Sequence, residues 1–412
     1  MAFVMTHTNG DYKVKVMEIK YLELKKVTAM YADEIHEAVN DVINGGWYLQ
    51  GEANRKFEEH YAEYCHAKYC VGCANGLDAL TLTLRAYIEM GVMQPGDEVI
   101  VPANTYIATI LAITGNGLRA VLVEPRIDTF QIDDSLIERA ITPRTRCIML
   151  VNLYGKDAYT PKIGELCNKY NLKLVIDNAQ GHGLVNHQSS VINHQSSPVA
   201  CHSFYPGKNL GALGDGGAIT TDDKLLADTF RTLANYGSSR KYVFDYCGRN
   251  SRLDEIQAAV LDVKLRHLDA DNSRRREIAL RYIKEVDNPL LTMPTGEYWH
   301  DNVFHIFPVL CKQRDALQKY LADNGIQTVI HYPIPPHKQK CYASSPLLVI
   351  PEGGLPITER IHREELSIPC NQVLTDEEVS YIIKLATADT RYWQLSPVDL
   401  YDELKKERVN LF

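Results

Sequence analysis

Three side chains whose types and order invite chemistry stand close together in this chain: an acid at Asp177, a hydroxyl at Ser203 and an amine at Lys208. Leu174–Val175–Ile176 is an apolar run ending on Asp177, the pattern of a buried strand that delivers a carboxylate at its tip. Lys208 follows Ser203 by five residues, on a turn with Pro206 and Gly207, just ahead of Gly214–Asp215–Gly216–Gly217. A lysine on a loop is ordinarily a solvated charge. In this company it suits pyridoxal phosphate, which needs a partner for its ring nitrogen, a phosphate contact and a Schiff-base amine.

Each group has a defined part in that chemistry. A carboxylate at Asp177, on the ligand edge of a parallel sheet, would hold the pyridine nitrogen protonated by opposite charge in a low-dielectric site. Taken alone, Asp177 also reads as the N-cap of the next segment. Gln180 follows three residues on, within reach of the ring's phenolic oxygen. Lys208 would bond the cofactor and, once displaced, shuttle a proton, its pKa lowered by burial. Asn75–Gly76–Leu77–Asp78 is a glycine turn opening a helix, and free N–H groups at such a helix start suit a phosphate. Tyr106, after Pro102–Ala103–Asn104–Thr105, is placed either to stack on the cofactor or to pack in the core.

The elements that must position these groups follow from periodicity. Helices are predicted over 29–43 and 54–64, then a strand over 69–73. Helices over 78–90, 106–114, 135–141 and 161–170 alternate with strands over 98–101, 119–123, 147–151 and 173–176. Apolar strands bounded by helices imply an α/β fold with a mostly parallel sheet covered on both faces. Beyond the lysine, helices are predicted over 223–236 and, bent midway, over 254–285; residues from about 270 to 390 mix a strand (303–310) with helices (314–324, 376–385), a smaller α+β unit. The expected division is a large domain over 17–270, a small C-terminal domain over 271–390, and extensions at 1–16 and 391–412.

Composition removes several function classes. The chain has 412 residues, ample for a large domain plus a smaller one, and its 45% hydrophobic and 23% charged residues are ordinary for a soluble globular protein. A net charge of −8 leaves no basic surplus for binding nucleic acid, and Arg274–Arg275–Arg276 reads as an exposed helix face. No apolar run reaches the roughly 18 residues of a membrane span, and residues 1–16 carry no signal core, so a cytoplasmic protein is expected. The ten cysteines are scattered. Cys65, His66, Cys70 and Cys73 cluster, but Cys70 and Cys73 fall three apart on a strand and face opposite ways, which argues for core cysteines and no metal. Asn186–His187–Gln188–Ser189–Ser190 recurs as Asn193–His194–Gln195–Ser196–Ser197, read as a polar loop over 184–198.

With these residues assembled, the chain resembles the DegT/StrS sugar aminotransferases, within the fold type I (aspartate aminotransferase-like) pyridoxal-phosphate enzymes. The motifs that carry the resemblance are Gly46–Trp47–Tyr48–Leu49, Ala74 to Leu80, Asp177 to Gln180, Ser203 to Gly217, Asn250 to Gln257, Phe304 to Phe307 and Ile330–His331–Tyr332–Pro333. It implies that Lys208 is the Schiff-base lysine, Asp177 the pyridinium partner and Gln180 the ring-hydroxyl contact. It further implies that Gly76, Leu77 and Ser203 bind the phosphate, that Asn250 reaches the phosphate of a neighbouring subunit in a homodimer with shared sites, and that Tyr48, His331 and Tyr332 lie near the sugar. Many relatives carry Ser or Thr where Leu77 stands, so backbone N–H groups must suffice there. Asn178 replaces a more usual alanine. The implied reaction moves an amino group from L-glutamate to the keto group of a nucleotide-linked deoxysugar, at carbon 3 of a dTDP-3-keto-6-deoxyhexose, with carbon 4 as the runner-up. The product would serve a glycan such as an O-antigen or S-layer, or an antibiotic. Lys208 argues against the dehydratase branch, whose members carry histidine there. A non-catalytic regulator that kept the fold is the reading from another class; it lacks a basic helix-turn-helix segment here.

Overall fold

The computed structural model describes residues 4–8, 11–15, 17–184, 198–294 and 301–393. Val4–Thr8 (β1) and Asp11–Lys15 (β2) pair as an antiparallel hairpin. A short helix, Leu24–Ala29 (α1), precedes Ala32–Gly45 (α2), so the helix expected from residue 29 starts later. It stops at Gly46, which takes φ 66° as its left-handed cap. The next helix, Glu52–Tyr64 (α3), has no cap from its own N-cap residue Gly51. Glu255, 2% exposed, supplies one from across the chain. Its Oε1 accepts from the amides of Gly51 (2.7 Å) and Asn54 (3.1 Å), and its Oε2 from that of Ala53 (2.9 Å).

The predicted alternation then appears with boundaries shifted by at most two residues. Its members are Tyr69–Cys73 (β3), Gly76–Glu89 (α4), Glu98–Pro102 (β4), Ile107–Gly115 (α5), Arg119–Val123 (β5), Asp134–Ala140 (α6), Thr145–Val151 (β6), Pro161–Tyr170 (α7) and Lys173–Asp177 (β7). Two strands follow that periodicity missed, Val199–Ser203 (β8) and Gly217–Thr221 (β9). His202 breaks the apolar pattern of β8. It is tolerated in the interior because Tyr61 Oη lies 2.9 Å from its Nδ1 and Thr220 Oγ1 3.0 Å from its Nε2.

Lys224–Ala234 (α8) leads to a small hairpin, Ser238–Arg240 (β10) with Val243–Phe244 (β11). The long helix expected over 254–285 is two helices, Glu255–Leu265 (α9) and Leu268–Glu285 (α10), broken at Arg266–His267. The predicted strand over 303–310 shortens to Phe307–Leu310 (β12). Arg314–Asp323 (α11), Leu348–Val349 (β13), Pro356–Glu364 (α12), Glu365–Ile368 (β14) and Asp376–Thr387 (α13) follow along the chain.

The large sheet has eight strands in the order β13-β5-β4-β6-β7-β8-β9-β3. Its strands are parallel except β9, which runs against both of its neighbours. The fold is therefore α/β with a mostly parallel sheet, and β7 lies in its middle, where both faces are covered. Cys70 packs beside Phe57 and Phe204 while Cys73 packs beside Ala79 and Val101, so the two thiols do face opposite ways.

The second unit has its own core around Tyr282, Phe307, Val309, Leu321 and Ile382. Two expected boundaries are corrected by it. Ile19, assigned to the large domain, bridges to Ile326 and is buried in the small core. Trp393, assigned to the C-terminal extension, packs there too, because a large apolar ring beside Tyr320 is better buried than solvated. Conversely β13, from the small unit's sequence, pairs with β5 on the edge of the large sheet. The polar repeat over 184–198 falls almost wholly outside the described residues, as does most of the tail.

Replacing Glu255 with Ala leaves three amides at the start of α3 without an acceptor. The expected cost is roughly 3 kcal/mol, read as a lowered thermal midpoint.

Candidate active site

A cavity of about 660 Å³ opens at the C-terminal edge of the parallel strands, lined by residues of both units. Asp177 enters it from the end of β7 and is 6% exposed. Its Oδ2 accepts from Thr109 Oγ1 on α5 at 2.8 Å, and its Oδ1 from the Ala179 amide at 3.2 Å. Burial raises the carboxyl's pKa, while these donors and the Lys208 amine oppose the rise. Lys208 sits in the same cavity. Burial draws its amine down to about 8, and the Asp177 carboxylate limits the fall.

One buried side chain links the two loops that carry these groups. Asn272 on α10, 1% exposed, donates from Nδ2 to the His182 carbonyl (2.9 Å) in the loop after Asp177. Its Oδ1 accepts from Nδ2 of Asn209 (2.8 Å), the residue after Lys208. Asn209 also donates to the Val303 carbonyl (3.1 Å) and meets His305 Nδ1 at 3.0 Å.

The turn from β3 into α4 forms a second wall. Asn75 caps the helix through the Asp78 amide (2.8 Å), which leaves the first amides, Gly76 and Leu77, without an i−4 acceptor and facing the cavity's end. Only glycine fits at 76: a Cβ there would stand 2.5 Å from Ser203 Cβ. Gly217 on β9 makes the same close approach possible from behind, since its Cβ would meet the Asn75 carbonyl at 2.5 Å. The Leu77 side chain is half-exposed at the rim.

Gln180 accepts from the Tyr154 amide at 2.6 Å and donates to Tyr332 Oη at 3.1 Å. Tyr332 meets Tyr106 with ring centroids 5.0 Å apart, so both aromatic residues line the cavity and neither is lost in the core. His331 lines it as well, its Nδ1 2.8 Å from Ser367 Oγ and its pKa drawn down to about 4 by burial and by Lys208. Gly76, Leu77, Tyr106, Asp177, Gln180, Ser203, Lys208, His331 and Tyr332 are thus gathered in one place. Tyr48 and Asn250 are not: both are exposed and outside this chain's own cavity.

Sequence reasoning missed other members. Arg275, expected on an exposed helix face, is 3% exposed and lines the cavity. It donates to the Cys370 carbonyl (2.7 Å) and to Gln372 Oε1 (2.9 Å). The signal was available in helical spacing, because Arg275 falls in register with the buried Asp271, Ile278, Ala279 and Tyr282. Thr109 and Tyr21 had no such signal, and His305 stood within the Phe304 to Phe307 motif without an assigned role. Asn178, the replacement for a usual alanine, is buried, accepts from Asn152 Nδ2 at 2.7 Å and lies 3.3 Å from His202 Nδ1.

Comparison with known proteins decides the class of this site. Residues 30–386 match the model of the DegT/DnrJ/EryC1/StrS aminotransferase family. The chain belongs to that family. It is 50% identical over 383 residues to the dTDP-3-amino-3,6-dideoxy-alpha-D-galactopyranose transaminase of Aneurinibacillus thermoaerophilus, covering 89% of this chain and 98% of the relative. Among solved structures it superposes on Streptomyces venezuelae DesV in complex with a ketimine intermediate, at a TM-score of 0.84 and 40% identity, covering 92% of this chain and 99% of that one. It also superposes on Bacillus subtilis NtdA with bound cofactor PMP, at 0.79 and 30% identity, covering 90% and 85%.

The enzyme is an aminotransferase and its cofactor is pyridoxal 5′-phosphate. The cavity fits that group on its own evidence: a cradle at Gly76 that any Cβ would fill, a buried carboxylate on a strand end and a desolvated amine facing the same space. Gly76→Ala forces α4 and Ser203 apart. The expected result is a folded protein whose affinity for pyridoxal phosphate, measured by equilibrium dialysis, falls about tenfold or more, the loss of roughly one good hydrogen bond.

Proposed function

We propose that this enzyme moves an amino group from L-glutamate to the C-3 keto group of a dTDP-linked 3-keto-6-deoxyhexose, giving a 3-amino-3,6-dideoxyhexose. The observation that carries the reading is Lys208 and Asp177 buried in one cavity of a chain half identical to a transaminase named for such a product. Bound pyridoxal phosphate supplies the electron sink and carries the amino group between the two half-reactions.

The chain's own residues do the rest. The first amides of α4 and Ser203 take the phosphate, Asp177 holds the ring nitrogen's proton by charge, and Gln180 meets the ring hydroxyl. Lys208 Nζ takes the proton from the donor's Cα and returns it. Near pH 8 that amine is divided between its two forms, which suits a group that must do both. Arg275 offers the donor's carboxylate a buried positive charge. Its partners are neutral oxygens, and its Nε–H has no partner among the described residues. His331, Tyr332 and Tyr106 form the wall for the sugar.

The working form in this proposal is a cytoplasmic homodimer. Trp47 is 68% exposed, Tyr242 81% and Phe244 59%, apolar surface that a second copy would cover. Arg249 pairs with Asp78 at the start of α4, and its neighbour Asn250 is exposed outside its own cavity. A second copy would then bring Tyr48 and Asn250 to its partner's site.

The test is product analysis by mass spectrometry after incubation with glutamate and a panel of dTDP-keto sugars. The 3-keto sugar should be aminated with one 2-oxoglutarate formed per product; amination of only a 4-keto sugar would overturn the regiochemistry. Lys208→Ala should keep its thermal midpoint but lose turnover by about 1,000-fold or more. In the wild type the half-reaction with glutamate should rise with pH through about 8, because deprotonation of Lys208 supplies the base.

A further inference from the structure

Behind His331 lies a chain of buried polar groups that none of the roles above uses. His331 Nδ1 is 2.8 Å from Ser367 Oγ. Ser367 Oγ is hydrogen-bonded in turn to Glu365 Oε1 at a very short separation. Glu365 Oε2 accepts from the His331 backbone amide at 2.6 Å, so one carboxyl grips both the main chain and, through the serine, the ring of the same histidine. Glu365 and Ser367 are fully buried on β14, two residues apart and therefore on the same face of the strand. The ring's other nitrogen, Nε2, has no protein partner among the described residues, and the residue lines the cavity.

We infer that Glu365, Ser367 and His331 form a proton relay that ends at the carbonyl oxygen of the acceptor sugar. The inference rests on the keto-sugar reading above. In the loaded state the Glu365 carboxyl donates to Ser367 Oγ, Ser367 donates to His331 Nδ1, and the ring presents Nε2–H to the cavity. When Nε2 gives its proton to the oxygen, Nδ1 takes the serine proton and the serine takes the carboxyl proton, which leaves a Glu365 carboxylate. During amination the carbonyl oxygen leaves as water with two protons, and the incoming amino nitrogen gives up two. The relay lends a proton to the oxygen and is refilled from the nitrogen, so none is consumed. The tautomer of His331 is thus slaved to the protonation of a carboxyl that never touches substrate.

The surroundings favour a loaded relay near neutral pH. Burial raises Glu365 to about 8, opposed by Ser367, the His331 amide and Arg314 on α11. The other groups facing it are the hydroxyls of Tyr21, Tyr154 and Tyr332, all kept neutral by burial. His331 faces Lys208, His305, Tyr21 and Tyr332, and burial, with the amine adding to it, keeps its ring neutral, the form that can pass a proton between its two nitrogens. The carboxyl is protonated below its pKa, so the relay empties as pH rises through about 8.

Two measurements on the holoenzyme test this. In single-turnover experiments the half-reaction with keto sugar should slow about 100-fold in Glu365→Gln and Ser367→Ala. The glutamate half-reaction and the thermal midpoint should stay near wild type. The wild-type acceptor half-reaction should fall above pH about 8, and Glu365→Gln should lose that limb. Equal acceptor rates and pH profiles in wild type and both variants would overturn the relay while leaving the substrate reading intact. The second readout needs no substrate: nitrogen-15 shifts of the His331 ring, assigned through His331→Asn. They should show Nε2–H giving way to Nδ1–H as pH rises in wild type but not in Ser367→Ala. A tautomer indifferent to pH in the wild type would overturn the relay. Failure of every keto sugar to react, with the tautomer switching as described, would overturn only the assigned acceptor.

Discussion

Removing one amine and one carboxylate from water in the same cavity is the constraint on which the rest of this structure depends. Neither charge is comfortable there. Burial pulls the Lys208 amine toward its neutral form and the Asp177 carboxyl toward its protonated form, and each opposes the shift of the other. The hydrogen bonds from Thr109 and the Ala179 amide keep the acid from simply protonating. A solvated pair would have ordinary pKa values and no reason to exchange protons near neutral pH. The sheet makes the desolvation possible, because β7 is a central strand and its end opens into the cavity.

The histidines around the lysine show how that environment is shared. His182, His202, His305 and His331 are all drawn below their ordinary values, chiefly by burial, and for all but His202 the nearby amine adds to the effect. Polar rings held neutral can line a site without adding charge to it. The permanent positive charge among these neighbours is that of Arg275, a guanidinium that burial cannot readily deprotonate. A cavity with one fixed cation, one tunable amine and several neutral rings is suited to substrates that carry carboxylates or hydroxyls.

What the sequence made legible was whatever depended on residue type and chain order. Asp177 at the end of an apolar run, Gln180 three residues on, Ser203 five before Lys208 and the glycine turn at 76 all line the cavity. Strands β8 and β9 were hidden because His202 interrupts the pattern, and its satisfaction by Tyr61 and Thr220 is a long-range fact. Arg275 was hidden by its neighbours. Arg274 and Arg276 make a charge run that looks solvated, and the carbonyl of Cys370 that holds Arg275 lies 95 residues away. Ile19 and Trp393 were misassigned for the same reason, since each is buried by a unit distant in sequence. Tyr48 and Asn250 mark a different limit: their motifs were readable, yet one chain folds them away from its own cavity.

The second unit therefore does more than close a wall. Asn272, on its long helix, is bonded on one side to the loop that follows Asp177 and on the other to the residue that follows Lys208. The fit around it is tight, for a Cβ at Gly183 would come within 2.2 Å of its amide nitrogen. The loops that carry acid and amine are thus bridged by a neutral side chain bonded to neither reactive group. A shift of α10 would be transmitted to both loops at once, moving the two reactive groups together rather than apart. His305 extends the same logic, because its bond to Asn209 ties the segment before β12 to the lysine loop. Where two charged groups must keep their pKa values through a cycle of substrate entry and release, a rigid neutral spacer between their supporting loops is the arrangement that lets the outer walls move without retuning them.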